Sequence, residues 1–141
     1  MNKKIAVRYY SRGGNTKKLA EAIAKSAGVE AKDCSVPIAE PIDLLFLGGS
    51  VYAFSLDDNI KNYIAGLNPQ NIKNVALFGT SAIVKKGNQE MEKLLRNKDI
   101  TVLKHDFYCR GSFTVMHKNR PNNKDLKRAA DFALTVLEEI N

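Results

Sequence analysis

The residues of this chain best suited to chemistry are Ser11, Gly13, Gly14, Asn15 and Thr16, within the run Tyr9-Tyr10-Ser11-Arg12-Gly13-Gly14-Asn15-Thr16-Lys17-Lys18. They follow directly on the apolar stretch Ile5-Ala6-Val7, and a helical pattern follows them. The chemistry such a loop can do is to hold an anion. The first turn of a helix leaves about four N–H groups without intrahelical partners, and the macrodipole adds roughly half a positive charge there. A phosphate placed at that point satisfies both. Gly13 and Gly14 let the backbone approach the anion closely, while Ser11, Asn15 and Thr16 add side-chain donors.

The elements that must position this loop alternate along the whole chain. Residues 4–10 read as a strand. Residues 15–27 carry Leu19, Ala20, Ile23, Ala24 and Ala27 at helical spacing, with Gly28 where a C-cap belongs. Residues 29–35 form a weaker, polar strand suited to a sheet edge. The unbroken apolar run at 43–48 is a strand covered on both faces. Residues 57–67 place Ile60, Tyr63, Ile64 and Leu67 on one helical face, and Asp57-Asp58 reads as a helix-start signal. A short strand at 74–79, an amphipathic helix at 89–96, a fifth strand at 100–107 continuing through 111–115, and a final helix at 124–140 complete the series.

Five strands alternating with helices imply a single α/β domain over residues 1–141, a doubly wound parallel sheet with helices on both faces. One connection is short. Residues 36–42, which include Pro37 and Pro41, are fewer than the dozen or so that a parallel crossover needs, so the second helix is expected to shrink to a turn or irregular loop.

In an open parallel sheet, ligands sit at the carboxyl ends of the strands. Two further loops are expected there: Gly48-Gly49-Ser50-Val51-Tyr52-Ala53-Phe54-Ser55 and Gly79-Thr80-Ser81-Ala82. A phosphate cradle beside a loop bearing two aromatics suits a flat conjugated ring with a phosphorylated tail, and Tyr52 or Phe54 can stack on such a ring.

On the motifs at 10–16, 47–54 and 78–82, in the right order on the right elements, the chain resembles the flavodoxin family over essentially its whole length. The resemblance implies strand order 2-1-3-4-5, a bound flavin mononucleotide (FMN) and no metal. It places the phosphate on Ser11, Asn15 and Thr16 and on the amides of Arg12, Gly13 and Gly14. The ring then falls to Ser50, Val51, Tyr52 and Ala53 on one side and Gly79, Thr80, Ser81 and Ala82 on the other. Two departures stand out. The family commonly has Thr or Ser where this chain has Gly13, so one hydroxyl is missing, a loss that the Arg12 side chain could offset electrostatically. The second ring loop carries no aromatic, since Ile83 and Val84 follow it.

The function implied is electron transfer between partner proteins or to a small acceptor. Alternatives are a small FMN enzyme of the quinone-reductase or protoporphyrinogen-oxidase-like type, and a flavin-free binding module. No residue is assigned a catalytic role. A net charge of +7 suits a redox partner with an acidic docking surface, and the lysines are too scattered for a nucleic-acid tract. Cys34 and Cys109 lack C-x-x-C spacing, and His105 and His117 lack metal-ligand spacing. With no apolar run of ~20 residues and no signal-peptide pattern, the expectation is a cytoplasmic protein without an integral membrane segment. A phosphate-signalling receiver domain would need acidic residues where Ser11 and Ser50 stand.

Overall fold

Two patterns in the sequence build the molecule: short apolar runs in the central strands and apolar residues every third or fourth position in the helices. The computed structural model describes residues 3–52, 55–81, 87–111 and 119–140, with the backbone alone at 52, 55 and 81. The strands are β1 (Ile5–Tyr9), β2 (Ala31–Asp33), β3 (Leu44–Tyr52), β4 (Ser55–Leu56), β5 (Val75–Ser81) and β6 (Phe107–Arg110). The helices are α1 (Asn15–Ala27), α2 (Asp58–Ala65), α3 (Gly87–Arg96) and α4 (Asn123–Ile140), with a 3-10 turn at Pro69–Asn71. The five parallel strands lie in the order β2-β1-β3-β5-β6, and β4 folds back antiparallel on the end of β3. Setting the hairpin strand β4 aside, this is the 2-1-3-4-5 order that the resemblance implied.

The continuous apolar run of β3 is explained by burial on both sides. Leu44 and Phe46 face α1 and α4 in a core that includes Val7, Leu19, Ile23, Phe78, Ala133 and Val136. Leu45 and Leu47 face α2 and α3 in a second core with Ile60, Ile64, Leu77, Met91 and Leu95. Each such side chain contributes about 1.5–3 kcal/mol on burial, so the sheet centre is the most strongly held part of the fold.

Helix ends follow from local chemistry. At Gly28, φ is +75° and the N–H groups of Gly28 and Val29 reach back to Lys25 O and Ala24 O, the C-cap that spacing predicts. Asp57 is the N-cap of α2, as its position implied. For α4, Asn122 and Asp125 exchange side-chain-to-backbone hydrogen bonds in both directions, a reciprocal cap. Asp125 also accepts two bonds from Arg120.

The short connection contains no helix. Residues 34–43 run as an irregular strap, and Arg8 of β1 takes the place that helix packing would fill. Arg8 is buried, and its guanidinium donates to Val36 O at 2.8 Å, Val7 O at 3.1 Å and Pro37 O at 3.3 Å. A buried cation needs several acceptors, and strap carbonyls that no helix uses supply them.

Other boundaries differ from the sequence-based expectation. β3 runs on to Tyr52 and β5 to Ser81, so both expected ring loops begin inside strands. The fifth parallel strand begins at Phe107, not at residue 100; only Val102 bridges to β5 before it, at Val75. The polar run Lys104-His105-Asp106 leaves the sheet, and the Asn88 amide pins its end by donating to Asp106 Oδ2 and Phe107 O, both at 2.9 Å. The expected continuation at 111–115 lies, beyond Gly111, outside the described residues.

Candidate functional site

Four chain segments meet at the carboxyl edge of the sheet: the loop after β1, the β3–β4 hairpin, the end of β5 and the end of β6. The loop after β1 turns through Gly14, whose φ of +91° is the left-handed conformation that glycine adopts without strain. Gly14 is also the N-cap of α1, so the cap residue has no side chain to bond the first-turn amides. The Ser11 hydroxyl accepts the Gly14 N–H at 3.0 Å and sets the turn. Among the described residues, a Cβ at either Gly13 or Gly14 would meet nothing within 4 Å. A helix N-terminus capped by glycine, uncrowded by any described residue at Gly13 and Gly14 and with the dipole pointing out of it, fits a phosphate group.

Beneath the loop lies a triangle of buried hydroxyls. Thr16 Oγ1 is 2.6 Å from Ser50 Oγ and 2.9 Å from Thr80 Oγ1, and the last two are 3.3 Å apart. Each hydroxyl offers one donor and two acceptor positions, so the three satisfy one another while tying α1, β3 and β5 together. Thr16 is fully buried, which makes it the floor of the cradle and not its rim.

Asn15 packs toward β6. A Cβ on Gly111 would sit 2.9 Å from Asn15 Nδ2 and 3.2 Å from Thr80 Cβ. Gly111 had no place in the sequence-based site, because nothing local marks it. The Arg12 side chain reaches sideways: its Nε donates to Asp57 Oδ2 at 2.8 Å. Its charge is therefore shared with a carboxylate on the neighbouring segment.

The hairpin brings Ser50, Val51 and Tyr52 to the same edge on the last residues of β3, with Val51 paired to Leu56 and Tyr52 to Ser55. Gly79, Thr80 and Ser81 end β5, in register with Gly49, Ser50 and Arg110 on its two neighbours. Gly79 is tightly enclosed; a Cβ there would lie 2.8 Å from Asn88 Oδ1 and 2.9 Å from Gly49 O. Ala53 and Ala82, together with Phe54, lie outside the described residues, as does the ring of Tyr52. Among the described residues no three His, Cys, Asp or Glu side chains are grouped to hold a metal ion, and no helix is long and apolar enough to cross a membrane.

Fold and site together define a doubly wound α/β protein with a glycine-capped helix N-terminus and a buried hydroxyl triangle at its carboxyl edge. Residues 6–115, well over half of the chain, match the family model of the flavodoxin domain. The chain belongs to the flavodoxin family. It is 26% identical over 138 residues to an uncharacterised protein of Methanocaldococcus jannaschii, the match covering 88% of this chain and 91% of that one. Among solved structures, a flavodoxin from the domain Archaea superposes with a TM-score of 0.78 at 21% identity, covering 97% of this chain and 98% of its own. A flavoprotein from Lactobacillus acidophilus, solved in complex with FMN, superposes with a TM-score of 0.62 at 21% identity over 77% of this chain and 93% of its own.

Proposed function

We propose that this chain binds FMN and passes electrons between partner proteins. The observation that carries the reading is the cradle: a helix N-terminus capped by a left-handed Gly14 and floored by the Thr16–Ser50–Thr80 hydroxyls. Membership of the flavodoxin family and the FMN in the Lactobacillus acidophilus relative support the choice of anion. In this reading Ser11, Asn15 and the amides of Arg12 and Gly13 hold the phosphate, with buried Thr16 as the floor beneath and the Gly14 N–H setting the turn on Ser11. The hairpin at residues 50–53 and the stretch 79–82 flank the ring. The flavin supplies the redox chemistry when bound; the protein orients it and sets its electrostatic surroundings.

The chain's excess of 22 Lys and Arg over 15 Asp and Glu gives the partner a sign. A basic carrier docks on an acidic partner, with an encounter rate that falls as salt screens the attraction. The same excess makes bound flavin easier to reduce than in an acidic carrier.

The test has two stages. Titration of purified protein with FMN is expected to quench flavin fluorescence at a one-to-one end point, with riboflavin binding more weakly for want of the phosphate. Photoreduced protein is then mixed with an acidic electron-transfer protein and, separately, a basic one. The proposal expects faster reoxidation by the acidic acceptor, slowing with ionic strength. Failure to bind FMN sinks the cofactor assignment; binding without transfer to any protein acceptor sinks the carrier role.

A further inference from the structure

We propose that Asp57 is a positioning residue for the flavin site, joined to Arg12 in a strut that holds the phosphate loop against the β3–β4 hairpin. The inference rests on the FMN reading above and goes beyond it to a residue that makes no contact of its own with the cofactor.

Asp57 ties three segments at once. Its side chain has no exposed area, whereas that of Arg12 is 55% exposed. One carboxylate oxygen, Oδ1, accepts from Asn59 N at 2.9 Å and Asn59 Nδ2 at 3.1 Å, capping α2. The other, Oδ2, accepts from Arg12 Nε at 2.8 Å across 45 residues of sequence. Its own backbone N–H donates to Ser50 O at 3.0 Å, closing the base of the hairpin. The same Ser50 contributes its hydroxyl to the floor of the cradle.

A buried carboxylate is held by the groups that solvate it in place of water. The α2 amide and dipole supply part of that, and Arg12 supplies the charge. The phosphate loop, for its part, has glycines at 13 and 14, the second of them the helix cap, so its own residues restrain it weakly. The hydroxyl triangle fixes it from below, and the Arg12–Asp57 pair fixes it from the side that faces the hairpin. The pair thereby adds a second tie, beside Thr16–Ser50, between the segment that takes the phosphate and the segment that takes the ring.

The competing role for Arg12 is direct contact with the phosphate. The two roles predict opposite behaviour for Asp57→Asn. Asparagine is as good an N-cap as aspartate, so this variant keeps the α2 cap and loses the charge that engages Arg12.

The experiment measures FMN and riboflavin dissociation constants by fluorescence, and apoprotein melting temperature, for the wild type, Arg12→Ala, Asp57→Asn and the double variant. For a strut, each single substitution weakens FMN about tenfold, the loss of one charge-assisted bond. Riboflavin affinity stays near wild type for every variant and apoprotein melting does so for Asp57→Asn, while Arg12→Ala lowers melting by stranding the buried carboxylate. The double variant binds FMN no more weakly than either single. Arg12→Lys, which retains a cation, recovers part of the loss. If Asp57→Asn binds FMN as well as or better than wild type while Arg12→Ala weakens it, Arg12 is a phosphate ligand and the strut is overturned. Additive losses, unchanged affinities, or losses that track a fall in melting temperature and in riboflavin affinity also overturn it. A wild type that does not bind FMN at all removes the reading beneath the inference, a result distinct from any of these.

Discussion

Thr16 Oγ1 and Ser50 Oγ lie 2.6 Å apart although 34 residues separate them, and Thr80 closes the same buried triangle from β5. The contact fixes the first turn of α1, whose cap residue has no side chain, against the sheet. Thr16→Val keeps the shape and removes the hydroxyl. Ser50 and Thr80 still have each other at 3.3 Å, so neither is stranded completely. We expect urea unfolding of the apoprotein to show a loss of about 1–2 kcal/mol, the worth of a buried hydrogen bond. FMN affinity should fall with it. An unchanged urea midpoint would mean that the triangle contributes nothing net.

Gly13 and Gly14 are adjacent but not equivalent. Among the described residues a Cβ at Gly13 meets nothing within 4 Å, and the residue carries no left-handed φ, whereas Gly14 sits at φ +91°. Gly13→Thr is therefore sterically accepted and restores the hydroxyl that flavodoxins commonly carry. The expected result is a several-fold gain in FMN affinity with apoprotein stability within about 0.5 kcal/mol of wild type. Gly14→Ala is expected to cost about 1 kcal/mol or more, because alanine is strained at that φ. Isothermal titration of FMN, alongside urea unfolding, distinguishes the two positions.

What was legible in the sequence was local. The span of α1 and its Gly28 cap, the N-cap at Asp57, and the inadequate length of the second crossover are all set by residues within a few positions of one another. Contacts across the sheet were not legible in this way. Arg8 in a strand gives no sign that it will anchor the strap at Val36 and Pro37, and Arg12 gives no sign of Asp57. The β3–β4 hairpin was hidden because Val51-Tyr52-Ala53-Phe54-Ser55-Leu56 contains no Gly, Pro, Asn or Asp to mark a turn. The Asn122–Asp125 reciprocal cap was available, since an Asn followed three residues later by an acid before an apolar run is a helix-start pattern.

Gly111 and Gly48 offer a paired test of site against core. At Gly111 the nearest atom to a new Cβ is Asn15 Nδ2, the far end of a side chain, at 2.9 Å. Gly111→Ala must displace that amide and press on Thr80 Cβ at 3.2 Å, so FMN affinity should drop, with a smaller fall in melting temperature than at Gly48. At Gly48 a new Cβ would clash with Cε2 and Cζ of Phe78, which is itself fully buried. Gly48→Ala should destabilise the apoprotein by about 1–3 kcal/mol or more, the usual result of overpacking. Equal effects of both substitutions on melting temperature would refute the distinction.

Tyr63 carries a buried hydroxyl with no hydrogen-bond partner among the described residues. Burial, partly offset by nearby Arg8, pushes its phenol from 10.0 up to about 12. The folded state thus holds the proton more tightly than the unfolded chain. Its contribution to stability is fully present below pH 10 and is lost as pH rises from there toward 12, where the unfolded phenol ionises and the folded one does not. Tyr63→Phe removes both the unpartnered hydroxyl and the titration. At neutral pH we expect a gain of about 1 kcal/mol, because an unsatisfied buried donor is replaced by hydrogen. Above pH 10 the advantage over wild type should widen as wild type loses stability faster. Urea midpoints at pH 7.5 and 10.5 measure both effects, and a variant less stable than wild type at neutral pH would show that the hydroxyl is satisfied in solution.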